Sequence, residues 1–181
     1  DALPVQPVRP LTVDLHGRRG RDWQLDRAAK AVEDAGERVA VRGVVRLEDV
    51  AEVVMGQSPP GSSYNRSGNG VPFIQGSAEF GVVSPTPVQW CTEPRKIAEP
   101  GDLLVSVRAP VGDMNVAAER VAIGRGLSIL RSHEGVVQEY LALAVENSAS
   151  QLDSVSAGST FASITKSSLC GIEVALHTDE E

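Results

Sequence analysis

Residues 56–70, GQSPPGSSYNRSGNG, constrain this chain more than any other stretch. Proline fixes φ and removes a backbone donor, and glycine weakens helix and strand alike. The first ten residues, Gly56 to Asn65, hold two glycines, two prolines and three serines, and read as neither helix nor strand. The flanks, VAEVVM before and VPFIQG after, are apolar and ask to be buried. A fold that accepts this order must hold two buried segments together while a stiff polar loop projects between them. Loops longer than about twelve residues without structure of their own tend to be functional.

The rest of the chain supplies a body for such a loop. Residues 1–21 read as an irregular, proline-rich lead-in with a short basic run, HGRRGR. DWQLDRAAKAVEDAG follows as a helix, with Asp22 as N-cap, an apolar stripe of Trp23, Ala28, Ala31, Val32 and Ala35, and Gly36 as its stop. From Val39 the pattern turns to short strands. VAVRGVVRL has period-two character, and LEDVAEVVM reads as a helical turn leading into a strand. VPFIQ is a buried strand. EPGDLLVSVRA sets a turn before a strand ending at Arg108, and NVAAERVAIGRGLSILR reads as two strands. VVQEYLALAVENSASQL is a helix with Val137, Tyr140, Leu141, Ala144, Val145 and Leu152 on one side. SAGSTFASI is a second polar loop, TKSSL a short helix capped by Thr165, and GIEVAL a closing strand. The expectation is an α+β, strand-rich fold with long polar loops and a few short helices. Its domains are an N-terminal helical extension over residues 1–40 and a main domain over 41–181.

Composition narrows the function. The length, 181 residues, suits one domain or a domain plus an extension. No apolar run approaches the roughly 20 residues that span a bilayer, and no basic-then-apolar start marks a signal peptide. Cys91 and Cys170 lack CxxC spacing, so they read as two reduced thiols in or near a core, which points to a cytoplasmic home. The formal net charge of −7 argues against nucleic acid, because phosphate contacts need Lys and Arg. Between Gly56 and His133, however, seven basic residues stand against six acidic ones, so the middle of the chain has the means to present a basic face. The chain begins with Asp rather than Met and is read as a piece of something longer.

Catalysis finds little to work with. The three histidines, His16, His133 and His177, lie in stretches that read as exposed or terminal, and no HExxH, GxSxG or phosphate-cradling Walker loop occurs. GRGLSI is not a dinucleotide fingerprint. The carboxylate pairs Glu93/Glu99 and Asp102/Asp113 sit beside turns and read as caps or solvated groups, and no cluster has metal-ligand spacing. Adenine-N6 DNA methyltransferases hold a flipped base with an Asp/Asn/Ser-Pro-Pro-aromatic tetrad. Here Ser58–Gly61 reads SPPG, with glycine where the stacking ring would stand, and is a turn.

Taken in order, LEDVAEVVMGQSPPGSSYN, GVPFIQGSAEFG, WCTEPRKIAEPGDLLVSVRAPVGDMNVA, IGRGLSIL and GSTFASITKSSLCGIEVAL resemble the target recognition domain of type I restriction–modification specificity subunits, over about residues 44–176. The resemblance implies sequence-specific recognition of double-stranded DNA without catalysis in this chain. It implies an adenine-N6 methyltransferase partner that brings S-adenosylmethionine, and a restriction endonuclease in the larger complex. Family members carry two recognition domains joined by helical spacers, whereas here one recognition domain ends in HTDEE. Two parents fit: half of a specificity subunit, or the C-terminal recognition region of an adenine-N6 methyltransferase. A small-molecule or glycan-binding β-rich module is the competing reading of the same loops.

Under this resemblance the polar residues become candidate DNA contacts, since base edges are read by Arg, Asn, Gln, Ser and Thr, and phosphates by Arg, Lys, hydroxyls and backbone amides. The first loop offers Gln57, Ser58, Ser62, Tyr64 and Asn65, and Gln75 and Ser77 follow a strand. Arg108 sits at a strand end and Arg125 lies between two glycines, while Ser159, Thr160 and Lys166 suit backbone contact. Structural roles compete at several of these. Tyr64 and Trp90 suit packing, Gln57 and Ser58 suit loop hydrogen bonds, Arg95 and Lys96 suit solvation beside Glu93, and Arg108 suits an ion pair with Asp102 or Asp113.

Overall fold

The computed structural model describes residues 41–152 and 163–177. The expected helix over 22–36 and the GSTF loop with Ser159 and Thr160 lie outside them.

The first described strand, β1 (Val41–Arg46), leads into a single helical turn, α1 (Leu47–Val50), and then into β2 (Ala51–Met55). Asp49 accepts a hydrogen bond from the Arg46 amide at 3.2 Å and so caps the turn. The strands β3 (Tyr64–Asn65), β4 (Val71–Ile74), β5 (Gln89–Cys91) and β6 (Ile97–Ala98) follow. Next come β7 (Leu103–Ser106), β8 (Met114–Val116), β9 (Val121–Ile123) and β10 (Leu127–Ser132). The described part closes with α2 (Gln138–Asn147), α3 (Lys166–Cys170) and β11 (Glu173–His177). As expected from its sequence, Thr165 caps α3, its Oγ1 accepting from the Ser168 amide at 3.2 Å.

Three sheets result. β1 pairs with β11, a second sheet runs β2-β10-β7-β8, and a third runs β3-β5-β4-β9-β6. Among the described strands only β4 and β9 run parallel. The four-stranded sheet is buried on both faces. From β7, Leu103 and Val105 enter one core with Leu130, Leu141, Val145, Leu169 and Val174, beneath the helices. Leu104 points the other way, joining Ile74, Ile123, Leu127 and Ile129 against the five-stranded sheet. A strand covered on both faces needs no polar alternation, hence the unbroken LLV of β7. On the far face of the five-stranded sheet, Phe73, Cys91 and Ala122 form a third cluster under Tyr64 and Val71.

Several expectations need correction. NVAAERVAIGRGLSILR carries three strands, β8, β9 and β10, rather than two, and β7 ends at Ser106, two residues before Arg108, which makes only an isolated bridge to Ser163. The Gly56–Gly70 stretch is not free of regular structure, since it contains a 3₁₀ turn at Gly61–Ser63 and the short strand β3, paired with β5. The turn closes locally, with Ser63 Oγ donating to Pro60 O at 2.7 Å. Val137 does not join the core face of α2. It is the residue before the helix and is 56% exposed, while Ala142 takes a buried place.

Candidate nucleic-acid interface

Four strand ends meet at one rim of the body. β4 and β9 are parallel with Ile74 opposite Ile123, so the segments after them leave side by side. β2 ends opposite the start of β10, with Met55 facing Ser128, and β7 ends with Ser106 facing Leu127. Backbone hydrogen bonds tie the outgoing segments together. Gly56 N donates to Leu127 O at 2.9 Å, Gln57 N to Ile123 O at 3.3 Å, Gly124 N to Ile74 O at 2.8 Å and Val107 N to Gly126 O at 2.9 Å. Ile164 N donates to Val107 O at 2.9 Å, and Ser163 bridges Arg108, which fastens the chain before α3 to the same rim.

Glycine makes this convergence possible. A Cβ on Gly56 would lie 2.1 Å from Gly124 O, and one on Gly124 would lie 2.9 Å from Gln75 O. Only backbones without side chains approach this closely. The segments GQSPP, PFIQG, SVRAP and IGRG, scattered along the sequence, thus become one surface.

That surface carries Gln57, Gln75, Arg108 and Arg125, all exposed. Arg108 and Arg125 form no ion pair among the described residues. Ser58 is half-buried, and its Oγ accepts from the Arg125 amide at 3.5 Å, linking the first loop to the arginine's backbone. Ser77 opens a 3₁₀ turn, Ser77–Glu79, in which Glu79 Oε2 accepts from Gly76 N at 3.2 Å. Ser62 is exposed on the Gly61–Ser63 turn.

Tyr64 and Asn65 are engaged within the loop itself. The Tyr64 ring stacks on Phe73 with centroids 5.0 Å apart, and its hydroxyl donates to Pro59 O at 3.1 Å. Asn65 Oδ1 accepts from the amides of Ser67 (3.2 Å) and Asn69 (2.9 Å), and its Nδ2 donates to Asn69 O at 2.7 Å. Lys166 is exposed at the start of α3. Lys96 has an exposed side chain, in keeping with a solvated lysine. It stands at the rim end of β9, where its carbonyl accepts from Ile123 N at 3.0 Å.

The structural arginine is Arg131, not Arg108. Asp102, only 4% exposed, accepts from Arg131 Nε at 2.9 Å and from Nη2 at 2.6 Å, a bidentate pair. Glu52 adds a contact to Nη1 at 3.2 Å. The hydrogen bond to Asp102 raises the guanidinium's pKa, partly opposed by burial. The strand register explains the choice: Leu130 faces Leu103, which sets Arg131 beside Asp102 at the end of the sheet away from the rim. Asp102 also accepts from Glu99 N at 2.8 Å, the turn-capping role expected of it. Among the described residues no three His, Cys, Asp or Glu side chains gather as a metal site, and no helix is long and apolar enough to cross a membrane.

The comparisons with known proteins agree with this geometry. The chain is 42% identical over 135 residues to a protein of Methanocaldococcus jannaschii named as the MjaX type I restriction enzyme specificity subunit, covering 74% of this chain and 32% of that one. It therefore spans about a third of that relative's length. A chain from a structural study of complex assembly and conformational transition in the type I restriction–modification system superposes with a TM-score of 0.69 at 40% identity, over 86% of this chain and 41% of that chain. The HsdS subunit of Thermoanaerobacter tengcongensis superposes at 0.63 with 37% identity, over 87% and 43%. The model for the type I restriction modification DNA specificity domain matches residues 42–180, and the chain belongs to that family.

Proposed function

We propose that this chain is a DNA-reading module that holds an adenine-N6 methyltransferase, and with it a restriction endonuclease, on a specific duplex sequence. The observation that carries the reading is the convergence of Gln57, Gln75, Arg108 and Arg125 on one rim built from strand ends. Arginine meets guanine O6 and N7 with two hydrogen bonds, and glutamine meets adenine N6 and N7 in the same way. Such contacts discriminate only when the side chains start from fixed points, which strand ends and glycine-packed backbones provide. Rim arginines that form no ion pair among the described residues suit an anionic duplex better than a neutral glycan. In this reading the methyl donor, S-adenosylmethionine, binds the methyltransferase and not this chain.

Fluorescence anisotropy of the full chain, assembled with its methyltransferase subunit, on labelled duplex tests the proposal. Binding should weaken linearly in log–log terms as salt rises. Salt-independent binding, or none, overturns it.

A further inference from the structure

Beside the rim, the outer edge of β2 borders an open groove of about 570 Å³. Among the described residues β2 is an edge strand, paired only with β10. Gly56 N bonds Leu127 O and His133 N bonds Val50 O, so the alternation of an antiparallel ladder turns the amides of Val53 and Met55 away from β10, toward the groove. Lys96 and Lys166 line the groove together with His133, Glu48 and Glu52.

The carboxylates are already engaged. Glu48 pairs with Arg46 at 3.1 Å and Glu52 with Arg131 at 3.2 Å. His133 Nδ1 lies 3.3 Å from Asp49 O. Lys96 and Lys166 form no ion pair among the described residues, so the uncompensated charge of the groove is theirs. The groove is also continuous with the rim. Lys96 O accepts from Ile123 N, and Ile123 O accepts from Gln57 N. On the other flank, Lys166 lies three residues beyond Ser163, the residue that bridges Arg108.

Resting on the DNA-reading proposal, we infer that Lys96 and Lys166 grip the phosphodiester backbone of the duplex whose bases the rim reads, with the β2 edge as the floor of that contact. A single anionic ligand spanning rim and groove meets Arg108 and Arg125 at the rim and both lysines in the groove beside it. The lysines contribute affinity and salt dependence without sequence preference, because phosphates are alike along the duplex.

The test measures anisotropy of the full chain with its methyltransferase subunit on a short random-sequence duplex, across a salt series. Each lost phosphate contact lowers the slope of log K against log salt by about 0.9. The double variant K96Q/K166Q is expected to lose about 1.8 of that slope, with unchanged circular dichroism since both side chains are exposed. K96E/K166E should weaken binding further. Wild-type binding with an unchanged slope in K96Q/K166Q overturns the groove assignment and leaves the rim standing. Absence of any wild-type binding to duplex overturns both.

Discussion

Replacing Gly56 by alanine should disrupt the junction on which the rim is built. The new methyl carbon would sit 2.1 Å from Gly124 O, 2.8 Å from Leu127 O and 2.9 Å from Gly124 C. All three are backbone atoms, so no side-chain rotation relieves the clash. Ordinary contact requires β2 to retreat by about an ångström or more. That movement breaks Gly56 N–Leu127 O and Gln57 N–Ile123 O, two hydrogen bonds worth about 1 kcal/mol each. Overpacking adds about 1–3 kcal/mol, for a total of about 3–5 kcal/mol. For a chain of this size each kcal/mol moves Tm by about 2–4 °C, so a drop of roughly 6–20 °C is expected. Gly61 and Gly76 supply the controls. A Cβ at either meets nothing within 4 Å, and neither has a positive φ. Their alanine variants should stay within about 0.5 kcal/mol of wild type. Differential scanning fluorimetry separates the cases. A Gly56→Ala melting curve that overlays wild type, or one no different from Gly61→Ala, would refute the claim that close backbone packing builds this surface.

Further outcomes follow from the same geometry. Arg131→Met leaves the buried Asp102 carboxylate without its guanidinium; because the arginine side chain is 41% exposed and water can reach the site, about 2–3 kcal/mol should be lost, short of the full penalty for a fully buried pair. Denaturant titration measures this. Tyr64→Phe keeps the ring stacked on Phe73 and removes only the bond to Pro59 O, so stability should fall by about 0.5–1.5 kcal/mol with DNA affinity unchanged. A loss of duplex binding there would show that the hydroxyl touches DNA. Burial raises the pKa of both thiols, at Cys170 with help from Glu48, so Cys91 and Cys170 should resist iodoacetamide at neutral pH until the chain is unfolded.

Local signals in the sequence translated well. The helical turn before β2, the Thr165 cap and the buried strand around Phe73 each depend on neighbours a few residues away, and each is where its residues indicate. Pairing across the chain was harder to read. Arg108 and Arg131 are both arginines near strand ends, and only the register of β7 against β10 sets the second beside Asp102. Tyr64 and Asn65 look like polar loop residues, yet one rests on Phe73 and the other stitches the turn that follows it. Lys96 carried no local signal of importance, because its place beside Ile123 depends on the β6–β9 pairing. The polar residues themselves were visible as candidates. Their meeting at one rim arises from glycine contacts between segments far apart in sequence, which no periodicity encodes.

The most direct measurement is a selection of duplexes from a random pool by the chain assembled with its methyltransferase subunit, followed by the same selection with Gln57→Ala, Gln75→Ala, Arg108→Gln and Arg125→Gln. A base contact discriminates by about 1–3 kcal/mol, roughly 5- to 150-fold. At least one variant should therefore lose preference at a defined position of the selected sequence while still binding duplex. If all four variants select the wild-type sequence with undiminished preference, the rim does not read DNA.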